Sequence, residues 1–181
     1  MLHLHYDNQT AFPRTLLLQP RTCPSFFLPR YPHIIMKLYL DVCTICRPYD
    51  DQAMMRIRLE TDAVHLILSK IHDRTYQAVA SRVHTLEVSA ISNLAERIEL
   101  LTLLSGFQSD IEVDKGQAAK RAEHLHSAGF GVADSAHLAY AEVIADVFIT
   151  CDDKLIKKSH REDIRIPVYN PIEFVVKEEL R

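Results

Sequence analysis

The chain is poor in cysteine, poor in net charge and without any long apolar run, and each shortage closes off a class of protein. Its four cysteines, Cys23, Cys43, Cys46 and Cys151, are too few and too scattered in 181 residues to staple a secreted scaffold. Reduced thiols and a cytoplasmic setting are therefore expected. No apolar run approaches the ~20 residues that span a bilayer, so no membrane partner is expected. The net charge of -3 does not announce a nucleic-acid binder, although a basic rim can surround an acidic pocket. No internal repeat and no low-complexity tract interrupts the sequence. What remains is a hydrophobic content of 48% and a charged content of 25%, ordinary values for one globular domain with a real core.

Proline divides the chain in two. Five of the eight prolines, at positions 13, 20, 24, 29 and 32, fall within residues 1–35, together with a single acid, Asp7. That stretch has neither helical period nor strand alternation, and it lacks the continuous apolar core of a secretory signal. It reads as a disordered N-terminal extension, with the folded domain spanning residues 36–181. From Met36 onward strand and helix signals alternate. Lys37 to Leu40 is a buried strand, Arg47 to Asp51 a loop, and Gln52 to His72 one amphipathic helix with apolar residues at Ile57, Val64, Ile67, Leu68 and Ile71. A short strand is expected over 77–81, then two helical pieces between Val83 and Leu104, and a third strand over Ser109 to Val113. Asp114 caps a helix, Asp134 opens another, Val147 to Thr150 is a fourth strand, and Ile166 to Tyr169 is an edge strand ahead of a C-terminal helix. Strands separated by helices imply parallel βαβ units, so the expected fold class is α/β with a central parallel sheet covered on both faces.

In such a sheet ligands bind beyond the carboxyl ends of the strands. Asp41 closes the first strand, and Asp152 follows the run Val147-Phe148-Ile149-Thr150-Cys151. Either alone is a common turn or cap residue. Asp134 at a helix start equally complements the helix dipole. Their joint placement is what points to chemistry: neighbouring carboxylates repel unless a cation neutralises them, and Mg²⁺ or Mn²⁺ prefers such oxygen ligands. That combination suits metal-dependent phosphodiester hydrolysis. Glu87, from physics alone, reads as a solvated helix glutamate.

The segments Leu40-Asp41-Val42-Cys43-Thr44, Leu86-Glu87-Val88, Asp134-Ser135-Ala136-His137-Leu138-Ala139 and Thr150-Cys151-Asp152-Asp153 resemble, in order and spacing, the motifs of the PIN domain family. The loop from Arg47 to Gln52 further resembles its VapC-like bacterial branch. The resemblance covers about Met36 to Val168. It implies a three-layer α/β/α sandwich and an acidic Mg²⁺ or Mn²⁺ site of Asp41, Glu87, Asp134 and Asp152, with Asp41, Asp134 and Asp152 as metal ligands. Thr150 matches the hydroxyl residue that orders the site, and Asp153 an auxiliary acid or a helix cap. His137, three residues after Asp134, faces the same side of its helix. The family further implies an RNA substrate, endoribonuclease activity and, in its bacterial branch, a toxin neutralised by an antitoxin protein. A homodimer is also expected. Two residues depart from the pattern: Cys43 stands where Ser or Thr is common, and Cys46 where Asn is.

Other readings use the same residues. A haloacid-dehalogenase-type phosphohydrolase needs a second aspartate at the position of Cys43. Cys43-Thr44-Ile45-Cys46 has thioredoxin-like spacing, but Arg47-Pro48 does not open a helix, and inert thiols are the expectation. A catalytically silent module that docks RNA or protein on the same fold is the alternative from another class. Arg47 is the candidate for gripping a substrate phosphate, and Lys154, Lys157 and Lys158 for a basic rim.

Overall fold

The computed structural model describes residues 35–109 and 111–181. The extension expected over residues 1–35 lies outside the described residues, apart from Ile35.

Four short strands form one parallel sheet: β1 (Lys37–Leu40), β2 (Gln77–Val79), β3 (Val147–Ile149) and β4 (Val168–Tyr169), in the order β2-β1-β3-β4. Between them run the helices α1 (Val42–Ile45), α2 (Met55–His72), α3 (Arg82–Ser89), α4 (Leu94–Ser105), α5 (Lys115–Ser127), α6 (Val132–Ile144), α7 (Asp153–Ser159) and α8 (Pro171–Lys177). The expected α/β/α sandwich is therefore present.

Side-chain alternation within the strands assigns the layers. Leu38, Leu40, Ala78, Val147 and Ile149 point to one face, where Ile67 of α2, Val88 of α3, Leu100 and Leu104 of α4 and Phe174 of α8 cover them. Tyr39, Val79 and Phe148 point to the other, beneath Leu125 of α5, Leu138 and Ala141 of α6 and Leu155 of α7. Burial on both faces explains the near-continuous apolar strands. Tyr39 and Phe148, neighbours in register on β1 and β3, stack with ring centroids 5.4 Å apart. Each such fully buried side chain contributes about 1.5–3 kcal/mol.

The helix ends follow their capping residues. Asn93 accepts from the amides of Ala95 and Glu96, Asp114 from those of Gly116 and Gln117, and Asn170 from that of Glu173. The loop after α1 contains a 3₁₀ turn over Arg47–Tyr49, and α2 starts at Met55, three residues later than its apolar period suggests. Asp134 does not open its helix: α6 begins at Val132, and Asp134 Oδ2 reaches back to accept from Gly131 N at 3.2 Å.

One expected strand is not formed. Over Ser109 to Val113 the described residues carry no strand, and the chain meets the sheet only through a single bridge between Gln108 and Val79. Ile111 and Val113 pack as partly buried residues on the second core cluster. Their alternation marks burial against helices, not pairing in a ladder.

Candidate active site

Strand order reverses at β1, which has β2 on one side and β3 on the other. Asp41 leaves β1 and Thr150 leaves β3 at the same level, because Leu40 is in register with Ile149. The crevice outside these strand ends is where an α/β sheet binds ligands.

Asp41 is held at both oxygens. Its Oδ1 accepts from Val42 N at 2.8 Å, capping α1, and its Oδ2 accepts from Thr150 Oγ1 at 2.7 Å and from Cys43 Sγ at 3.1 Å. Thr150 is fully buried and also accepts from Asp152 N at 3.1 Å, so one hydroxyl ties the two acid-bearing loops together. Asp152 caps α7, its Oδ1 accepting from Lys154 N at 2.7 Å and from Leu155 N at 3.2 Å. Burial together with the charges of Asp41 and Asp152 raises the pKa of Asp134 above the usual carboxylate value. The charges of two acids from separate segments thus reach Asp134.

Glu87 joins them through His137. The Nε2 of His137 lies 3.0 Å from Glu87 Oε2 and 3.9 Å from Asp41 Oδ1. The hydrogen bond from His137 lowers the pKa of Glu87. His137 Nδ1 is 2.7 Å from Tyr39 Oη, which is 2.7 Å from Ser81 Oγ. One set of protons satisfies the chain: Ser81 donates to Tyr39, Tyr39 to His137 Nδ1, and His137 Nε2–H to the Glu87 carboxylate. His84 lies against the same ring, with Tyr39 at 4.4 Å and His137 at 5.0 Å between centroids. Its Nδ1 accepts from Ser81 N at 3.1 Å, so its Nε2 donates to Leu40 O at 2.8 Å. Burial, then the neighbouring His137, push its pKa down to about 4.

Arg47, Asp153 and Lys158 are engaged elsewhere. Arg47 Nη1 donates to Asp50 Oδ2 at 2.8 Å and its Nε lies 3.0 Å from Glu60 Oε2, an ion pair without hydrogen-bond alignment. Asp153 is gripped bidentately by Arg56, with both contacts at 2.6 Å, while the cap of α7 is Asp152. Lys158 sits over the Phe130 ring at 4.9 Å from its centroid, while Lys154 and Lys157 are exposed.

Tyr39, Ser81, His84 and Glu60 escaped the sequence reading. Ser81 and His84 have the spacing of a capping box, with His in place of Glu or Gln. Glu60 lies four residues before Val64 and seven before Ile67, on the buried stripe of α2, and its placement there needs the Arg47 and Arg56 charges beside it.

The donor set suits a hard divalent cation, being carboxylate oxygens whose mutual repulsion such an ion would relieve. Among the described residues no three His, Cys, Asp or Glu side chains already form a ligand cluster. The acids stand within electrostatic reach of one another rather than closed around a point.

In architecture the chain is a four-stranded parallel sheet between helical layers. No protein-family model matches the sequence, and no curated protein does. Solved structures similar to it include FitAcB from Neisseria gonorrhoeae, at 17% identity over 74% of this chain and 97% of that one, with a TM-score of 0.42. VapBC2 from Rickettsia felis, bound to a DNA fragment from their promoter, is 16% identical over 75% of this chain and 98% of that one, with a TM-score of 0.46. FitAB bound to a DNA fragment is 18% identical over 75% and 95%, with a TM-score of 0.44. Likeness at this level says nothing of activity, and the functional reading rests on the site's own geometry. Among the described residues no helix is long and apolar enough to cross a membrane.

Proposed function

We propose that this chain is an endoribonuclease that hydrolyses RNA phosphodiester bonds with Mg²⁺ or Mn²⁺ held by Asp41, Asp134 and Asp152. The observation that carries the reading is the Thr150 hydroxyl, which donates to Asp41 and accepts from the Asp152 amide and so holds those two acid-bearing segments side by side beyond the ends of β1 and β3. A bound divalent ion supplies charge stabilisation to a phosphodiester undergoing in-line displacement.

The chain's own groups do the rest. Thr150, Cys43 and the Val42 amide fix the Asp41 carboxylate, so its free lone pairs have one direction. The helix cap does the same for Asp152. Glu87 has one oxygen pinned by His137 and keeps the other to orient or deprotonate an attacking water. Arg47 meets a phosphate only by leaving Asp50, while Lys154 and Lys157 are free to attract the RNA backbone. The motif resemblance extends the proposal to a toxin–antitoxin role, with an antitoxin protein as neutralising partner and a homodimer as the assembly.

The test is cleavage of single-stranded and structured RNAs with Mg²⁺, with Mn²⁺ and with a chelator. Asp41→Asn removes a charge while keeping the acceptor that Thr150 uses. Several kcal/mol of metal-mediated stabilisation then disappear, and cleavage falls on the order of 100-fold or more. Cleavage that survives Asp41→Asn or the chelator sinks the proposal. So does inactivity across the panel combined with no metal-dependent rise in melting temperature.

A further inference from the structure

The spacing of Cys43 and Cys46 invites pairing of those two thiols, but the fold pairs Cys43 with a different partner. Cys46 turns toward the first core cluster, packing against its apolar side chains. Cys43 turns over the end of β3: its Sγ lies 3.4 Å from Cys151 N and 3.3 Å from Thr150 Oγ1. The strand register explains this. Leu40 pairs with Ile149, so the residues that follow on each strand leave the sheet side by side. The Cys151 Cα is one bond of about 1.46 Å beyond its amide nitrogen, so the Cys43 sulfur lies within about 5 Å of it, in reach of a disulfide. Helix α1 starts at Val42 and holds Cys43 over the end of β3.

We propose that Cys43 and Cys151 form a redox-active dithiol, a modification site that a low-molecular-weight disulfide oxidises to an internal disulfide and a thiol reductant restores. Exposure sets the order of events. Cys43 is partly accessible, whereas Cys151 is 5% exposed. The Cys43 sulfur attacks the small disulfide, forming a mixed disulfide and releasing one small thiol. The Cys151 sulfur then attacks the Cys43 sulfur, forming the internal bond and releasing the second small thiol. Both protein thiols lose their hydrogens to the two released thiols, and one small disulfide is reduced.

The bond has a local consequence. Cys43 donates its S–H to Asp41 Oδ2 at 3.1 Å and stands 3.3 Å from Thr150 Oγ1. Oxidation removes that donor from the acid at the centre of the candidate active site. Any effect on RNA cleavage rests on the proposed function, whereas the dithiol itself rests only on the placement of the Cys43 sulfur against Cys151.

The experiment uses the full chain carrying Cys23→Ser and Cys46→Ser, which leaves Cys43 and Cys151. The folded protein is incubated with oxidised glutathione, and free thiols and intact mass are measured. The expected result is a fall from two thiols per chain to none, a mass lower by two hydrogens without a glutathione adduct, and full reversal by dithiothreitol. Adding Cys43→Ser leaves one thiol and no internal bond. Stable glutathione adducts without an internal link overturn the proposal. So do two thiols that persist in the folded chain under conditions that oxidise the same chain in urea. Neither readout depends on cleavage, so an inactive protein with a reversible Cys43–Cys151 bond refutes the nuclease and keeps the dithiol.

Discussion

Acidification should destabilise this fold through one buried imidazole, His84. The side chain is fully buried, with Nδ1 facing the Ser81 amide and Nε2 facing the Leu40 carbonyl. A proton on Nδ1 would set two donors against each other, in contact with Tyr39 and His137. The pKa of about 4 in the folded chain compares with an ordinary value of 6.5. The unfolded chain therefore binds the proton first. His84's contribution is complete above pH ~6.5, is lost as pH falls toward ~4, and changes little below that. At 1.36 kcal/mol per unit, the loss between pH 7 and pH 4.5 is about 2.5 kcal/mol. The assay is urea unfolding at both pH values for the native chain and for His84→Gln, whose amide offers one acceptor and one donor but does not titrate. Other groups titrate in both proteins, so the difference between the two losses isolates His84. Equal losses to within about 0.5 kcal/mol would refute the reasoning. Should the variant not fold, a proton NMR titration of the native chain decides the same point, because His84 must stay neutral at pH 5.

Other perturbations read other parts of the framework. Tyr39→Phe strips the hydroxyl between Ser81 and His137, leaves His137 Nδ1 without a partner and Ser81 Oγ with the Val83 amide alone, and costs about 1–3 kcal/mol in denaturant unfolding. Glu142→Gln breaks a buried pair in which Arg121 contacts both carboxylate oxygens at 2.7 Å, and the expected cost of about 3–5 kcal/mol appears as a lower melting temperature. An unchanged melting temperature would mean that pair is solvated. Gly131→Ala brings a Cβ to 2.7 Å from Asp134 Oδ2 at a backbone φ of -58°, which any residue adopts. Asp134 must swing away, so Mn²⁺ affinity measured by calorimetry falls, while stability shifts by less than about 1 kcal/mol.

Much of the frame was legible before the fold because its signals are local. The apolar stripe of α2, the Asn93 and Asp114 caps and the Asn170-Pro171 start of α8 each depend on residues a few positions apart. The strand expected over Ser109 to Val113 misled for the same reason. Alternating burial is a local pattern, but whether an alternating segment joins a ladder depends on which edge of the sheet is open to it. Arg47 was legible as a cation beside the acids, yet its partners Asp50 and Glu60 lie on a turn and a helix whose approach only packing sets.

Residue order alone established that acids end two apolar runs, that a histidine follows Asp134 by one helical turn, and that four cysteines are widely scattered. These are properties of neighbours along a chain. The tertiary structure decided which groups share a hydrogen bond: Glu87 with His137, His137 with Tyr39, Cys43 with the Cys151 amide and Asp41 with Thr150. Each of those pairs is separated by tens of residues or more. Hydrogen bonds and Coulomb forces act over a few ångströms, so they depend on the strand register and helix packing that bring the partners together.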